Sequence, residues 1–331
     1  MSTILDVANQ AGVSAMTVSR YFNQPDMLAP ATHRKVRAAI EELQYVPNAA
    51  ARSLVNGCTN AIALILSDIT NSFYTTVARG VEDKAQQHGY ALILGNSDES
   101  LEKERLYLDV LISRRVDGVL ISSAPGNNRH LDMLRHHDIP VVLIDRTVEE
   151  IDADAVWGDT FTGAIHLTGH LVEQGFRDIA LVGGWPGVSS LEERQAGYLR
   201  AMKEAGLVPH VYPGRTSRQS GEEITEQLFR KNLLPRAIIA ANNHVAVGVL
   251  VSLRRHGVRV PEDVAVACFD DIEIAAQINP FLTVVAQPAY EMGALAMDML
   301  LERMQGFDGA PRHRALPTKM IVRSSSLVPA P

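Results

Sequence analysis

Asp145-Arg146, Asn242, Asp270-Asp271 and Gln287 share one placement. Each stands just past a short apolar run: Val141–Ile144, Ala237–Ala240, Val264–Phe269 and Thr283–Val285 respectively. Carboxylates, amides and guanidinium groups gathered at the ends of buried strands suit a hydroxyl-rich ligand. Every hydroxyl withdrawn from water must regain a partner, and charged partners are the stronger ones. Phe73 and Tyr74, opening a helical stretch, offer rings for stacking. Plainer roles compete. An aspartate after a strand also serves as a helix cap or turn residue, which accounts for Asp271 better than for Asp270. Arg146 either pairs with Asp145 or reaches an anionic ligand.

Catalytic patterns are missing. Gly183-Gly-Trp-Pro-Gly187 is neither a phosphate-binding P-loop nor a GxGxxG turn, and Pro186 interrupts it. His166 and His170 have the i, i+4 spacing of metal ligands, but Leu-Thr-Gly lies between them, without a glutamate or an evident third ligand. Ser189-Ser190 lacks the GxSxG surroundings of a nucleophile elbow. The chain is therefore expected to be no enzyme, with no metal and no cofactor.

The elements that must carry these side chains are legible from periodicity. Ala61–Leu66 is a continuous apolar run of the kind found in parallel strands buried on both faces. A helix over Phe73–His88 follows, then strand Ala91–Leu94, helix Leu101–Arg114, strand Gly118–Ile121, helix Leu131–His137 and strand Val141–Ile144. A second round runs through helix Phe161–Gln174, strand Ile179–Val182, helix Leu191–Ala205, strand Ala237–Ala240, helix Val245–His256 and strand Val264–Phe269. It ends with helix Tyr290–Met304 and strands around Arg314 and Ile321. This alternation predicts α/β lobes with doubly wound parallel sheets, whose ligands bind at the carboxyl ends of the strands.

The first residues follow a different grammar. Val7, Ala8 and Ala11 share one helical face, and Gly12 can take the left-handed conformation of a tight turn. Ser14 is placed to cap a second helix whose Val18 faces inward. Pro30 can open a third helix, Ala31–Leu43, with Val36, Ile40 and Leu43 on one side. A short helix, a glycine turn and a capped short helix make a helix-turn-helix, which sets its second helix in the DNA major groove.

The stretch Asp6-Val-Ala-Asn-Gln-Ala-Gly-Val-Ser-Ala-Met-Thr-Val-Ser-Arg20, the segment Tyr45-Val-Pro-Asn-Ala-Ala-Ala-Arg-Ser-Leu54 and the order of everything downstream resemble the LacI/GalR family of bacterial transcription regulators. The likeness covers essentially all 331 residues. It implies an all-α helix-turn-helix head at residues 1–47 and a hinge helix and linker at 48–60. A periplasmic-binding-protein-like body follows, with an N-lobe of 61–158 plus 288–316 and a C-lobe of 159–287 plus 317–331. The chain would cross between lobes near 158, 287 and 317. By the same likeness Ala15, Met16 and Arg20 contact bases, Arg20 offering a bidentate fork to guanine and the other two only apolar contact. Ser14, Thr17, Ser19 and Asn23 are expected at phosphates, where they position without specifying sequence. Residues 49–55 are too few for a stable free helix and should fold only when two copies meet on DNA. There Leu54 would wedge into the minor groove, with Ala51 beside it and Asn48 capping. In the cleft, Asp145, Arg194, Asn242, Asp270 and Gln287 match the family's effector contacts, Arg194 lying within Arg194-Gln-Ala-Gly-Tyr198, which resembles the family's arginine-bearing helix. With Arg146 and Arg194 at one cleft, a sugar acid or phosphorylated sugar stands beside a neutral sugar as the expected ligand.

The resemblance thus implies a homodimeric repressor of pseudo-palindromic operator DNA, gated by a sugar or sugar-acid effector. A transport-type sugar-binding module without a regulatory role is the alternative. Three departures stand out. Ala29-Pro30 replaces the usual Ser or Thr cap of helix three, Ala241-Asn242-Asn243-His244-Val245-Ala246 replaces ANDxxA, and Thr216 occupies the position of an aromatic platform.

Composition fits. The 46% hydrophobic content can build real cores, and the formal charge of −7 divides into +1 over residues 1–57 and −8 over the rest. A mildly basic head on an acidic body suits an operator reader better than a sequence-blind coating protein. Cys58 and Cys268 are too few for a disulfide framework. With no signal-peptide pattern and no apolar run of spanning length, a cytosolic protein is expected, without membrane contact. The family's leucine-repeat tail is not seen before Leu327-Val-Pro-Ala-Pro331.

Overall fold

Thr3 starts the first helix by a reciprocal cap. Its hydroxyl accepts from the Asp6 amide at 3.3 Å while the Asp6 carboxylate accepts from the Thr3 amide at 2.8 Å. That backbone hydrogen bond also holds the Asp6 carboxyl below its ordinary range. The computed structural model describes residues 2–46, 58–149 and 151–328. Asn48, Ala51 and Leu54, on which the hinge expectation rests, lie outside them, as does the side chain of Asn23. The chain divides into a unit of residues 1–59 and a unit of residues 60–331.

In the smaller unit α1 (Ile4–Ala11) ends at Gly12, whose φ of 66° is the left-handed conformation the turn requires. α2 (Ala15–Asn23) is capped by Ser14, which accepts from the Thr17 amide at 3.1 Å. α3 (Pro30–Leu43) has proline at its first position and no side-chain cap, as the Ala29-Pro30 departure implies. Val7, Ala8, Ala11, Val18, Val36 and Ala39 form the buried core. An edge-to-face Tyr21–Phe22 pair and a Tyr21–His33 contact at 4.5 Å border it.

The larger unit alternates strands and helices: β1 (Ala61–Leu66), α4 (Ser72–Gln87), β2 (Ala91–Asn96), α5 (Leu101–Ser113), β3 (Gly118–Ile121), α6 (Asp132–His136), β4 (Val141–Ile144), β5 (Asp154–Gly158), α7 (Thr160–Glu173) and β6 (Ile179–Val182). It continues through α8 (Ser189–Glu204), β7 (His210–Tyr212), α9 (Arg218–Arg230), β8 (Ala237–Ala240), α10 (Asn243–Arg255), β9 (Ala265–Phe269), α11 (Glu273–Ile278), β10 (Thr283–Ala286), α12 (Ala289–Met304), β11 (His313–Leu316) and β12 (Lys319–Ile321). Two six-stranded sheets result among the described residues, ordered β11-β5-β4-β3-β1-β2 and β12-β10-β9-β8-β6-β7. The first is parallel throughout; in the second only edge strand β12 runs antiparallel, to β10. Helices cover both faces, so the central strands are buried on both sides. The chain leaves the first sheet after Gly158, returns after Ala286 and leaves again between Leu316 and Lys319. No described helix is long and apolar enough to cross a membrane.

Close helix contact depends on glycine at one crossing in particular. On α4 and α12, a Cβ at Gly80 would stand 2.1 Å from the Tyr290 carbonyl oxygen, and one at Gly293 would stand 2.1 Å from that of Val77. α4 carries Phe73 and Tyr74, so this crossing sets where they point. Gly293→Ala is expected to cost roughly 3 kcal/mol, because backbone cannot yield as a side chain can. Gly169, inside α7, has nothing within 4 Å of where a Cβ would stand, and alanine there should instead gain about 0.5–1 kcal/mol. Urea unfolding midpoints measure both.

Candidate functional site

The carboxyl ends of the strands of both sheets border a cavity of about 360 Å³. Its two principal carboxylates arise from one local device used twice. Asp145 follows β4 with φ 68°, and Asp270 follows β9 with φ 65°. The Asp145 amide donates to Val156 and the Asp270 amide to Val285, each at 2.9 Å across the neighbouring strand. Aspartate is one of the few side chains that tolerates this left-handed conformation. The turn ends the strand and leaves each carboxylate on the cavity wall.

Around Asp145 the polar groups interlock. The Tyr74 hydroxyl donates to its Oδ2 at 2.9 Å, and the guanidinium of Arg146 stands 3.6 Å away. Burial pushes the Asp145 carboxyl upward, and the Tyr74 phenol upward as well. Arg146 is committed to protein partners. It meets Glu99 through two parallel hydrogen bonds of 2.6 and 2.7 Å and donates to the Ser123 carbonyl at 2.7 Å. Burial works against its charge, but Tyr74, Glu99 and Asp145 outweigh burial and hold it protonated. Glu99 is thus the close partner of Arg146, whose Nε, 3.6 Å from Asp145, has no hydrogen-bond partner.

On the opposite wall Arg194 donates to the Ala241 carbonyl at 2.5 Å, lies 3.5 Å from Asp270 and stacks 4.6 Å over the Phe269 ring. Asn242 caps α10, accepting from the Val245 amide at 2.9 Å, and its own amide reaches the Thr216 carbonyl at 3.2 Å. Phe73, Tyr74, Asp145, Arg146, Arg194, Asn242 and Asp270 all line the cavity. Gln287 does not. It lines a smaller adjoining cavity and donates to Asp270 Oδ1 at 2.8 Å, so it stands behind the carboxylate. Asp271 is held by Arg323 and caps the Ile272 amide, the plainer role expected of it.

Sequence reasoning missed Asp68, Asn71, Asp98, Glu99, Trp185 and Arg215, which also line the cavity. Trp185 supplies an aromatic surface from a different loop than the one holding Thr216, and Arg215 stacks over it at 4.8 Å. Two signals were available: Asp68 stands just past the apolar run Ala61–Leu66, and a tryptophan follows the glycines of 183–184. Three buried atoms on lining residues, Asp145 Oδ1, Arg146 Nε and Arg194 Nε, have no protein hydrogen-bond partner. One is an acceptor and two are donors, and hydroxyls can serve both kinds. His170, by contrast, bonds Ser326 at 2.8 Å inside the second lobe, and burial pulls it below its ordinary range.

On the smaller unit, Val18 is 0% exposed and Met16 is 66% exposed, with Arg20 on the exposed side of α2 and Ala15 half-buried against the core. Ser14 and Thr17 hydroxyls meet at 2.9 Å at the start of this helix. Ser19 is half-buried on it.

Comparison with known proteins agrees with both halves. The description "Bacterial regulatory proteins, lacI family" matches residues 3–48, and a periplasmic binding protein-like domain matches residues 168–326. The HTH-type transcriptional repressor PurR of Vibrio atlanticus (strain LGP32) is 35% identical over 329 residues, covering 98% of each chain. The structure of the lac repressor dimer bound to operator and the anti-inducer ONPF matches with a TM-score of 0.86 at 26% identity, over 98% of this chain and 99% of that one. A LacI family transcriptional regulator from Enterococcus faecium with bound ribose matches with a TM-score of 0.74 at 29% identity, over 82% and 100%. With its helix-turn-helix head and two-lobed body, this chain belongs to the lacI family of bacterial regulatory proteins, DNA-binding regulators of transcription and not enzymes.

Proposed function

We propose that this regulator is a homodimeric repressor whose grip on operator DNA is set by a neutral, hydroxyl-rich sugar in the cavity. The observation that carries the ligand class is the mixed set of unsatisfied atoms on the cavity wall, the acceptor Asp145 Oδ1 and the donors Arg146 Nε and Arg194 Nε. Charge supports it. The wall holds carboxylates of Asp68, Asp98, Glu99, Asp145 and Asp270 against the guanidiniums of Arg146, Arg194 and Arg215, so an anion meets net repulsion. The lacI-family relative with bound ribose supports a sugar of that size.

Met16 and Arg20 serve as the base readers beside Ala15, with Ser14, Thr17, Ser19 and Asn23 at phosphates. Asn48, Ala51 and Leu54 complete the DNA contact as the hinge. The moving parts are residues 61–158 plus 288–316 and residues 159–287 plus 317–331. The effector acts through its different affinity for their open and closed arrangements, and these set the spacing of the hinges of two copies. Ile93 and Leu94 on edge strand β2 and Leu106 and Val110 on neighbouring α5 are exposed apolar side chains that support pairing with a second copy.

Two measurements on the full chain test this reading. Selection from random DNA should return a pseudo-palindromic site that shifts in a gel; a pure sugar-binding module would leave every probe unshifted. In a thermal-shift panel of neutral sugars against their aldonic and uronic acids, a neutral sugar at ~100 times its Kd should add about 2.7 kcal/mol of stability. Stabilisation by the acids alone would overturn the ligand class.

A further inference from the structure

At residue 243 the chain carries asparagine where the family pattern has aspartate, and this amide spans the cleft. Asn243, the first residue of α10, donates from Nδ2 to Asn71 Oδ1 at 2.9 Å, and both side chains are buried. The polarity of the contact is fixed from both ends. Asn71 caps α4, its Oδ1 accepting from the Phe73 amide at 3.0 Å, so it presents an acceptor. Asn243 Oδ1 accepts from the His244 amide at 2.8 Å, which leaves Nδ2 as the atom that reaches across. Two further contacts join the lobes beside it: His244 to Asp68 at 3.5 Å, and the Thr147 amide to the Ser189 hydroxyl at 2.8 Å.

We propose that Asn243 is a positioning residue that holds the two walls of the effector cavity together before any effector arrives. Through Asn71 it anchors the start of α4, and with it Phe73 and Tyr74, against the lobe that carries Arg194 and Asp270. An effector that favours closure then meets a cavity already closed, and its apparent affinity escapes the penalty of a rarely populated competent state. An aspartate at 243 would set acceptor against acceptor at this contact and break it. The role of the cavity rests on the function proposed above, but the contact itself does not.

Two substitutions that make the same chemical change test it. Asn71→Asp keeps an acceptor and a good helix cap, so the contact survives as a charge-assisted bond. Asn243→Asp also suits its own helix, since a carboxylate in the first turn is favourable, but it removes the donor. The reporter is hydrogen–deuterium exchange of the Thr147 amide in the full chain without effector or operator, so failure here is distinct from failure of the functional reading. Asn243→Asp should accelerate that exchange by about tenfold or more, as expected for losing a buried hydrogen bond and setting a carboxylate against the Asn71 acceptor in its place. Asn71→Asp should leave it unchanged or slower. Fast Thr147 exchange in the unaltered protein, no change in Asn243→Asp, or equal acceleration in both variants would overturn the proposal. Exchange across β8 serves as the folding control; if it also rises in Asn243→Asp, Asn243→Ser, which removes the donor without adding charge, takes its place with the same expected result.

Discussion

Asp154→Ala is expected to lower stability by about 3–5 kcal/mol, the usual result of removing one partner from a buried charge cluster. Asp154 opens β5 with its carboxylate fully buried. It accepts from Arg303 at 2.8 and 3.0 Å, from the Arg312 guanidinium at 2.7 Å and from the Arg312 amide at 2.7 Å. Both arginines also lie over the Phe307 ring, at 4.8 and 4.5 Å. One side chain thus joins the end of α12, the loop after it and the start of β11 to the sheet. Alanine would leave the mostly buried Arg303 guanidinium without its anion and Arg312 with Glu302 alone. For a domain whose total stability is about 5–15 kcal/mol, that is a large fraction. The urea midpoint at pH 7 is the measurement, and a shift no larger than that of a surface substitution would contradict the cluster's role.

The same residue predicts part of the acid sensitivity. Burial alone would raise the Asp154 carboxyl, but the hydrogen bonds from Arg303 and Arg312 outweigh it and hold it at about 2, against 3.8 when free. A folded value below the unfolded one contributes stability that is present above about pH 4. That contribution is lost as pH falls through about 2. In Asp154→Ala this contribution disappears, so the slope of stability against pH between 4 and 2 should flatten.

Arg20→Ala is expected to weaken binding to the selected operator by roughly 5–150-fold, the discrimination of one bidentate contact to guanine at about 1–3 kcal/mol. Binding to scrambled DNA should hardly change. The head supplies the geometry: the cap at Ser14 fixes where α2 begins, and Val18 anchors its inner face. Its first outward turn then presents Met16 and the next Arg20. Because Arg20 is exposed and outside the core of Val7, Ala8, Ala11, Val18, Val36 and Ala39, the melting temperature should not move. Fluorescence anisotropy on operator and scrambled duplexes over a salt series separates the possibilities. An equal loss on both duplexes, with a shallower salt slope, would make Arg20 a phosphate contact and remove it from base reading.

The head was legible almost to the residue because its signals are local. Gly12, Ser14 and Pro30 each impose a backbone state that neighbours do not override. The apolar runs of β1, β3, β6 and β8 were legible for the same kind of reason, since strands buried on both faces leave no place for polar side chains. β7, an edge strand of three residues, gives no periodicity to read. α9 was hidden by its polarity: only Gly221, Thr225 and Leu228 of its thirteen residues are buried. In the cavity, strand ends pointed to Asp145, Asn242 and Asp270; Asp68 and Asp98 stand two residues past β1 and β2 in the same way and were passed over, whereas Trp185 and Arg215 come from longer loops. Rotamers were illegible too. Spacing could bring Gln287 near Asp270, but only packing against Gly158, whose Cβ would stand 2.3 Å from Gln287 Oε1, turns its amide behind the carboxylate.

The paired left-handed aspartates carry a consequence for stereochemical choice. Asp145 and Asp270 present carboxylates from matching turns, so the turns by themselves do not fix which way round a ring would enter. A guanidinium also stands beside each acid, Arg146 3.6 Å from Asp145 and Arg194 3.5 Å from Asp270, so telling head from tail falls to what is not duplicated, the phenol of Tyr74 beside Asp145. Epimers should be distinguished most sharply at the carbon that phenol addresses.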